Sequence, residues 1–250
     1  MILEDLKGKA AVVTGAGGGM GRHIALELAK QGARLAICDI NETNLEETAQ
    51  RIKNIGAVVV SVKTDITNEE EVIEFYKKIA QEYNTLDILI NCAAIWDEGN
   101  VTEIDSKRWE RMIHINLSGT FYMCREAFPL MQLKGEGSMV NFASTAGEYG
   151  SMRPAAHYAA SKGGIIALSK SLAREGAKDQ IRVNVISPGP TDTPMLNVQN
   201  DDQRVQFGER TLLGRIGTPQ DMANAAMFLA SSASSWITGD VLRVNGGSLL

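Results

Sequence analysis

A short apolar run, Ala10-Ala-Val-Val-Thr14, stops abruptly at Gly15-Ala-Gly-Gly-Gly-Met-Gly21, and a helical pattern through Ile24, Leu26, Leu28 and Ala29 follows it as far as Gly32. This order constrains the fold more than any other stretch. A buried strand that turns on glycines straight into a helix leaves backbone amides and a helix N-terminus free to hold a phosphate. Gly15, Gly19, Met20 and Gly21 are the residues that would approach such a ligand, the glycines because they carry no Cβ. On its own the turn reads equally well as a flexible strand-to-helix loop.

The same alternation continues along the chain. Apolar, β-branched runs at 34–38, 58–62, 86–90, 138–142, 181–187 and 241–244 read as six further strands, with helical patterns between most of them. Strands separated by helices imply a parallel sheet covered on both faces. With 250 residues, 44% of them hydrophobic, and no repeat or linker, the chain reads as one α/β domain over 1–250. The second run ends in Asp39, about 20 residues beyond the glycine turn, where a carboxylate can take the two hydroxyls of an adenosine ribose and repel a 2′-phosphate. An ordinary helix N-cap is its other reading. Asn68 or Thr67 caps the helix after the third strand, and Thr218-Pro219 opens one that runs to Ala230. Pro129 is expected to interrupt the helical pattern of 106–131, and 195–216 reads as long and less regular.

Tyr158 and Lys162 stand four apart, one above the other on a helix face. A phenol has a pKa of about 10, and a neighbouring cation favours its ionised form, so the pair can exchange a proton with an alcohol. Ser144 ends the run 138–143, which puts its hydroxyl at a strand tip. Taken alone, each feature also has a plain structural reading.

Taken in order, they resemble the short-chain dehydrogenase/reductase family over nearly the whole chain. Thr14-Gly15-x-x-x-Gly19-x-Gly21 is similar to its cofactor turn, and Asn91-Cys-Ala-Ala94 stands where Asn-Asn-Ala-Gly is usual. Asn116, Ser144, Tyr158 and Lys162 match its catalytic four, Pro188-Gly189 and Thr193 its nicotinamide-side segment, and Thr238-Gly239 with Asn245-Gly-Gly247 its C-terminal signature. The resemblance implies a single-domain Rossmann fold, a doubly wound seven-stranded parallel sheet with helices on both faces. It implies an oxidoreductase that moves a hydride between nicotinamide and a secondary alcohol or ketone. In it Tyr158 exchanges the proton, Ser144 hydrogen-bonds the substrate oxygen, Lys162 lowers the Tyr158 pKa and holds the nicotinamide ribose, and Asn116 positions a water. The cofactor residues it implies are Gly15, Gly19, Met20, Gly21, Asp39, Ile40, Asp65, Ile66, Asn91, Ala93, Tyr158, Lys162, Pro188, Gly189, Thr191 and Thr193. Asp39, with no Arg or Lys directly after it, points to NAD rather than NADP.

The chain departs from that pattern in two places. Cys92 and Ala94 replace an asparagine and a glycine, a change expected to affect packing more than chemistry. Tyr158 follows Ser144 by 14 positions, one more than in many members, which places an extra residue in the 148–154 loop beside the substrate.

Trp96, Tyr149 and Met152 are candidate pocket walls, and Arg153 a candidate contact for an acidic substrate. His157 lies about 100° around the helix from Tyr158 and is expected at a surface or interface. Met195, Leu196, Val198, Phe207, Leu212 and Leu213 are expected to form a lid within 190–216 that makes the pocket mainly apolar. A 3-oxoacyl-thioester reductase is the rival activity, and a non-catalytic NAD-sensing scaffold the reading from a different class. Helices near 106–131 and 159–173 carry small or apolar residues on more than one face, and relatives are commonly tetramers, so a homotetramer is expected. The net charge of −5 without a basic cluster argues against a nucleic-acid partner, and no apolar run approaches the roughly 18 residues of a membrane span. The charged N-terminal segment and three scattered cysteines, Cys38, Cys92 and Cys124, point to the cytoplasm and to no metal site.

Overall fold

In a computed structural model, which describes residues 4–196 and 200–248, seven parallel strands form one sheet in the order β3-β2-β1-β4-β5-β6-β7. The strands are β1 (Ala10–Thr14), β2 (Arg34–Asp39), β3 (Val59–Lys63), β4 (Ile88–Asn91), β5 (Gly137–Phe142), β6 (Ile181–Pro188) and β7 (Val241–Val244). These fall within two residues of the runs read from sequence. Residues alternate across β1, so Ala11 and Val13 join one apolar core while Ala10 and Val12 join the other.

The first core is covered by α1 (Gly19–Lys30), α2 (Glu42–Asn54) and α9 (Pro219–Ala230). The second is covered by α3 (Glu69–Tyr83), α5 (Gly119–Lys134) and α7 (Ala156–Gly176). The remaining α-helices are α4 (Ser106–Ile113), α6 (Thr145–Tyr149) and α8 (Asp201–Glu209). Both faces of the sheet are therefore dry, and a fully buried leucine or isoleucine, such as Leu35 or Ile90, contributes roughly 2 kcal/mol. The strand order reverses between β1 and β4, so the crevice at the carboxyl ends of those strands is where a doubly wound sheet binds a ligand.

Helix ends follow the capping chemistry of the sequence. Asn68, not Thr67, caps α3, accepting from the Glu70 and Glu71 amides. Thr218 and Asp221 form a reciprocal capping box with Pro219 at the first helical position of α9. Two expectations are corrected. Pro129 lies inside an unbroken α5. The hydrogen bond lost at proline is offset by the face carrying Met123, Cys124, Ala127 and Met131, which is buried against the sheet. The stretch 195–216 is not irregular throughout, because Asn200 accepts from the Gln203 amide at 2.9 Å and opens α8. Val198 lies outside the described residues. No helix among those described is long and apolar enough to cross a membrane.

Candidate active site

The glycine turn after β1 holds α1 close to the sheet. A Cβ at Gly21 would stand 2.2 Å from the Gly15 carbonyl oxygen, and one at Gly15 would stand 2.8 Å from the Ala93 backbone. Gly15 also takes φ of 66°, in the left-handed region. The Thr14 hydroxyl accepts from the Cys92 and Ala93 amides, both at 3.1 Å, which ties the tip of β1 to the segment after β4. Gly18 caps α1 without a side-chain hydrogen bond, and no acidic residue occupies the first turn. A Cβ at Gly18 would meet open space. Uncapped amides at a helix N-terminus over an open cradle fit a dinucleotide diphosphate.

Asp39 ends β2 beside this cradle. Its carboxylate accepts from the Gly17 amide at 2.8 Å and from the Asn41 amide at 2.9 Å. Its capping alternative falls to Asn41, which caps α2. Ile40, next in the chain, is exposed. Arg22, unmarked by any sequence pattern, braces the turn from below through the Gly17 and Asn44 carbonyls and the Thr48 hydroxyl, and it pairs with Glu47. At the tip of β3, Asp65 accepts from both the amide and the hydroxyl of Thr67, and Ile66 packs under Gly119. The Asn91 side chain turns into the core toward Asn141 and Cys124, which leaves its backbone and that of Ala93 at the crevice. Pro188, Gly189, Thr191 and Thr193 line the cleft after β6.

Ser144, Tyr158 and Lys162 converge on the same cleft. The α6 helix makes this possible by lying hard against α7, where a Cβ on Gly147 would come within 2.6 Å of the Lys162 backbone. Ser144 is the N-cap of α6, and its oxygen accepts from the Ala146 amide at 3.2 Å. That bond leaves the hydroxyl proton free to be donated into the cleft. Burial raises the Tyr158 pKa above that of a free phenol, and a hydrogen bond with Ser144 works against the rise. Burial lowers the Lys162 pKa to about 8, with the nearby Cys92 sulfur opposing. The Lys162 ammonium donates to the Phe142 carbonyl at 2.8 Å and sits 5.8 Å from the Tyr158 ring centroid. The lowering of the Tyr158 pKa expected from Lys162 is not seen in this arrangement, where burial and the Ser144 hydrogen bond set the shift.

Asn116 sits in a single π-turn, His114–Ser118, between α4 and α5. Its amide accepts from the Ile95 N–H at 2.8 Å and donates to the Ile95 carbonyl, the Met112 sulfur and the Ser161 hydroxyl. It thus pins the segment after β4 across the start of α7. Trp96 on that segment meets the Tyr158 ring edge to face at 4.7 Å, a contact that sequence spacing does not reveal. Asp97 is held by Arg108 and stands 3.5 Å from the His157 Nε2. His157 is fully buried, which corrects its expected surface placement. The rotation away from Tyr158 carries its ring toward Asp97 instead of toward solvent.

Trp96, Met152 and Arg153 line the cleft, as do Gly150 and Ser151 of the 148–154 loop. Tyr149 does not. It is half exposed, and the Arg243 guanidinium lies 5.7 Å from its ring centroid. Met195, Leu196 and Phe207 reach the cleft, whereas Leu212 and Leu213 border a separate groove beside β7. Cys92 and Ala94 face the cleft as well, so these two replacements touch the site as well as the packing. No metal-binding cluster of His, Cys, Asp or Glu occurs among the described residues.

Residues 15–248 match the family model described as enoyl-(acyl carrier protein) reductase. The chain is 34% identical over 245 residues to the 3-oxoacyl-[acyl-carrier-protein] reductase FabG of Thermotoga maritima, covering 98% of this chain and 99% of that one. It is 38% identical to an uncharacterized oxidoreductase of Bacillus subtilis, over 97% of this chain and 91% of the other. A short-chain type dehydrogenase/reductase from Mycobacterium marinum superposes with a TM-score of 0.93 at 30% identity, covering 98% and 97%. A putative gluconate dehydrogenase from Agrobacterium tumefaciens does so with a TM-score of 0.94 at 34% identity over the whole of both chains. With this fold, this cleft and relatives matched end to end, the chain belongs to the short-chain dehydrogenase/reductase family of oxidoreductases.

Proposed function

We propose that the chain is an NAD-linked dehydrogenase of secondary alcohols, or reductase of the matching ketones, with a substantial apolar part to its substrate. The observation that carries this reading is the convergence of Ser144, Tyr158 and Lys162 in a cleft whose other walls are mainly apolar. Tyr158 takes the alcohol proton or returns it to the alkoxide, and Ser144 donates to the substrate oxygen as charge develops there. Lys162, fixed through the Phe142 carbonyl, holds a ribose hydroxyl and steadies the phenolate. Asn116 acts as a positioning residue, through Ile95 and the π-turn, for a water between Lys162 and solvent. When bound, the nicotinamide supplies the hydride acceptor or donor. An intact acid–base set argues against a non-catalytic NAD sensor. Reduction of 3-oxoacyl thioesters is the second reading, favoured by the name of the Thermotoga relative. The free cysteines fit a cytoplasmic location.

The NAD preference rests on Asp39 and on the surrounding cations. Arg22 is committed to Glu47 and to backbone carbonyls. Lys63 on β3 is the register partner of Asp39 and is exposed. Titration with both cofactors is expected to show tighter binding of NAD(H), and Asp39→Ala should weaken it and narrow the difference by removing the carboxylate that repels a 2′-phosphate. Tighter NADP(H) binding by the wild type would overturn the assignment. The activity itself is tested by a nicotinamide absorbance screen over apolar ketones, polyols and acyl thioesters. The expected order puts apolar ketones first, and faster turnover of polyols contradicts it.

A homotetramer is proposed from the exposed apolar residues Trp109 on α4 and Phe121 and Leu133 on α5, which are consistent with burial against other copies. Light scattering at micromolar concentration should give four times the 27.1 kDa chain mass, and a monomer mass excludes it.

A further inference from the structure

The cleft wall carries three charged side chains, Arg153, Lys162 and Arg210, and all three are cations. Among the described residues no aspartate or glutamate lines it. This runs against the background of a chain with a net charge of −5. Two of the three are already engaged. Lys162 donates to the Phe142 carbonyl, and Arg153 pairs with Glu98 while its guanidinium lies 5.6 Å from the Trp96 ring centroid.

Arg210 differs. It follows α8 directly, and its guanidinium stacks 5.5 Å from the Phe207 ring centroid. It makes no ion pair and no side-chain hydrogen bond among the described residues. Its surroundings in the cleft are apolar, with Met152, Met195, Leu196 and Phe207 on the wall. Arg210 is exposed, and a planar fork of five donors beside a ring and an apolar wall is suited to a single planar anion. Fork-to-carboxylate pairing is bidentate and strengthens as water is excluded.

We propose that Arg210 is a specificity residue that receives a carboxylate on the substrate, making the natural substrate an apolar oxo acid or its hydroxy acid. The carbonyl or alcohol end lies at Ser144 and Tyr158, the apolar body lies along the methionines and Phe207, and the carboxylate ends at Arg210. The inference rests on the reading of this cleft as the substrate site and adds the chemical class.

The test uses the full chain, with and without saturating NAD. Calorimetry compares 4-phenylbutanoate with 4-phenylbutanamide on the wild type, Arg210→Gln and Arg210→Lys. The carboxylate should bind the wild type about 10-fold more tightly than the amide, in line with one charge-assisted hydrogen-bonded pair. Arg210→Gln should remove that preference and Arg210→Lys should restore part of it. Equal affinities, no binding of either probe, or a preference that survives Arg210→Gln would overturn the proposal. A parallel turnover assay compares an aromatic oxo acid with its methyl ester and with an acetoacetyl thioester. A carboxylate preference in binding without turnover of any ketone defeats the proposed activity and leaves the anion site standing. Turnover of ester and acid alike, or of the thioester alone without dependence on Arg210, leaves an oxidoreductase but defeats the carboxylate site.

Discussion

Tyr158→Phe is expected to cut turnover at least about 100-fold while leaving folding and cofactor affinity close to those of the wild type. The substitution removes one oxygen and keeps the ring. The ring is what packs here: Tyr158 is only 8% exposed, it meets Trp96 edge to face, and it joins Met112 and Ala155 in a small apolar cluster. The hydroxyl is what reacts. Burial holds the phenol protonated in the unliganded cleft, and the Ser144 hydroxyl opposes that effect. Losing the oxygen therefore removes the proton carrier without opening a cavity. Three measurements check this: kcat on an apolar ketone, cofactor affinity by titration, and the melting temperature. A variant with near wild-type kcat would show that another group moves the proton. A fall in melting temperature together with kcat would show that the hydroxyl is structural.

The strands were legible because the sheet is buried on both faces. Each strand then reads as a compact β-branched run that stops at a polar or glycine residue, as at Thr14, Asp39 and Asn91. Caps were legible wherever the capping residue was Asn or Thr ahead of a helical pattern, as at Asn68 and Thr218. The α8 helix carries the same signal at Asn200, followed by Asp201 and Asp202, but it has no apolar stripe and so no period to detect. Pro129 misled because the local loss at a proline is visible in sequence, whereas the burial that offsets it depends on what α5 packs against.

At the site, residues one helical turn apart were readable and long-range pairings were not. Tyr158 and Lys162 share a face by spacing alone. The placement of Ser144 opposite them came only from the family resemblance, since it depends on how closely Gly147 lets α6 approach α7. The Trp96 contact with Tyr158, the approach of His157 to Asp97 and the bracing of Gly17 by Arg22 each join residues far apart in the chain or on different elements. No periodicity encodes such contacts. The wall residues from 195–216 were half legible for the same reason. Apolar residues in 195–216 were visible, but which of them face the cleft depends on α8, so Phe207 reaches it while Leu212 and Leu213 lie against the β7 side.

The largest expected effect on folding belongs to Gly21→Ala. Gly21 has no unusual backbone conformation, so the argument is purely one of space. An added Cβ would stand 2.2 Å from the Gly15 carbonyl oxygen, 2.7 Å from its carbon and 3.2 Å from the Thr14 oxygen. All three are backbone atoms at the end of a central strand, and Thr14 is tied further by its hydroxyl to the Cys92 and Ala93 amides. None of them can swing aside as a side chain would. Relief requires lifting α1 off the sheet, which separates Ile24, Ala25 and Leu28 from the core they share with α9. The cost should be at least about 3 kcal/mol, at the upper end of overpacking. In a domain of this size that corresponds to a fall in melting temperature of roughly 6–12 °C. Gly18→Ala is the control. The two glycines lie three residues apart in the same turn, but a Cβ on Gly18 meets open space, and its φ of −168° is extended backbone that alanine adopts freely. That variant should stay within about 1 kcal/mol of the wild type. Calorimetric melting of the two proteins separates the cases. Equal melting temperatures would mean that α1 does not sit as close to β1 as the Gly15–Gly21 contact requires.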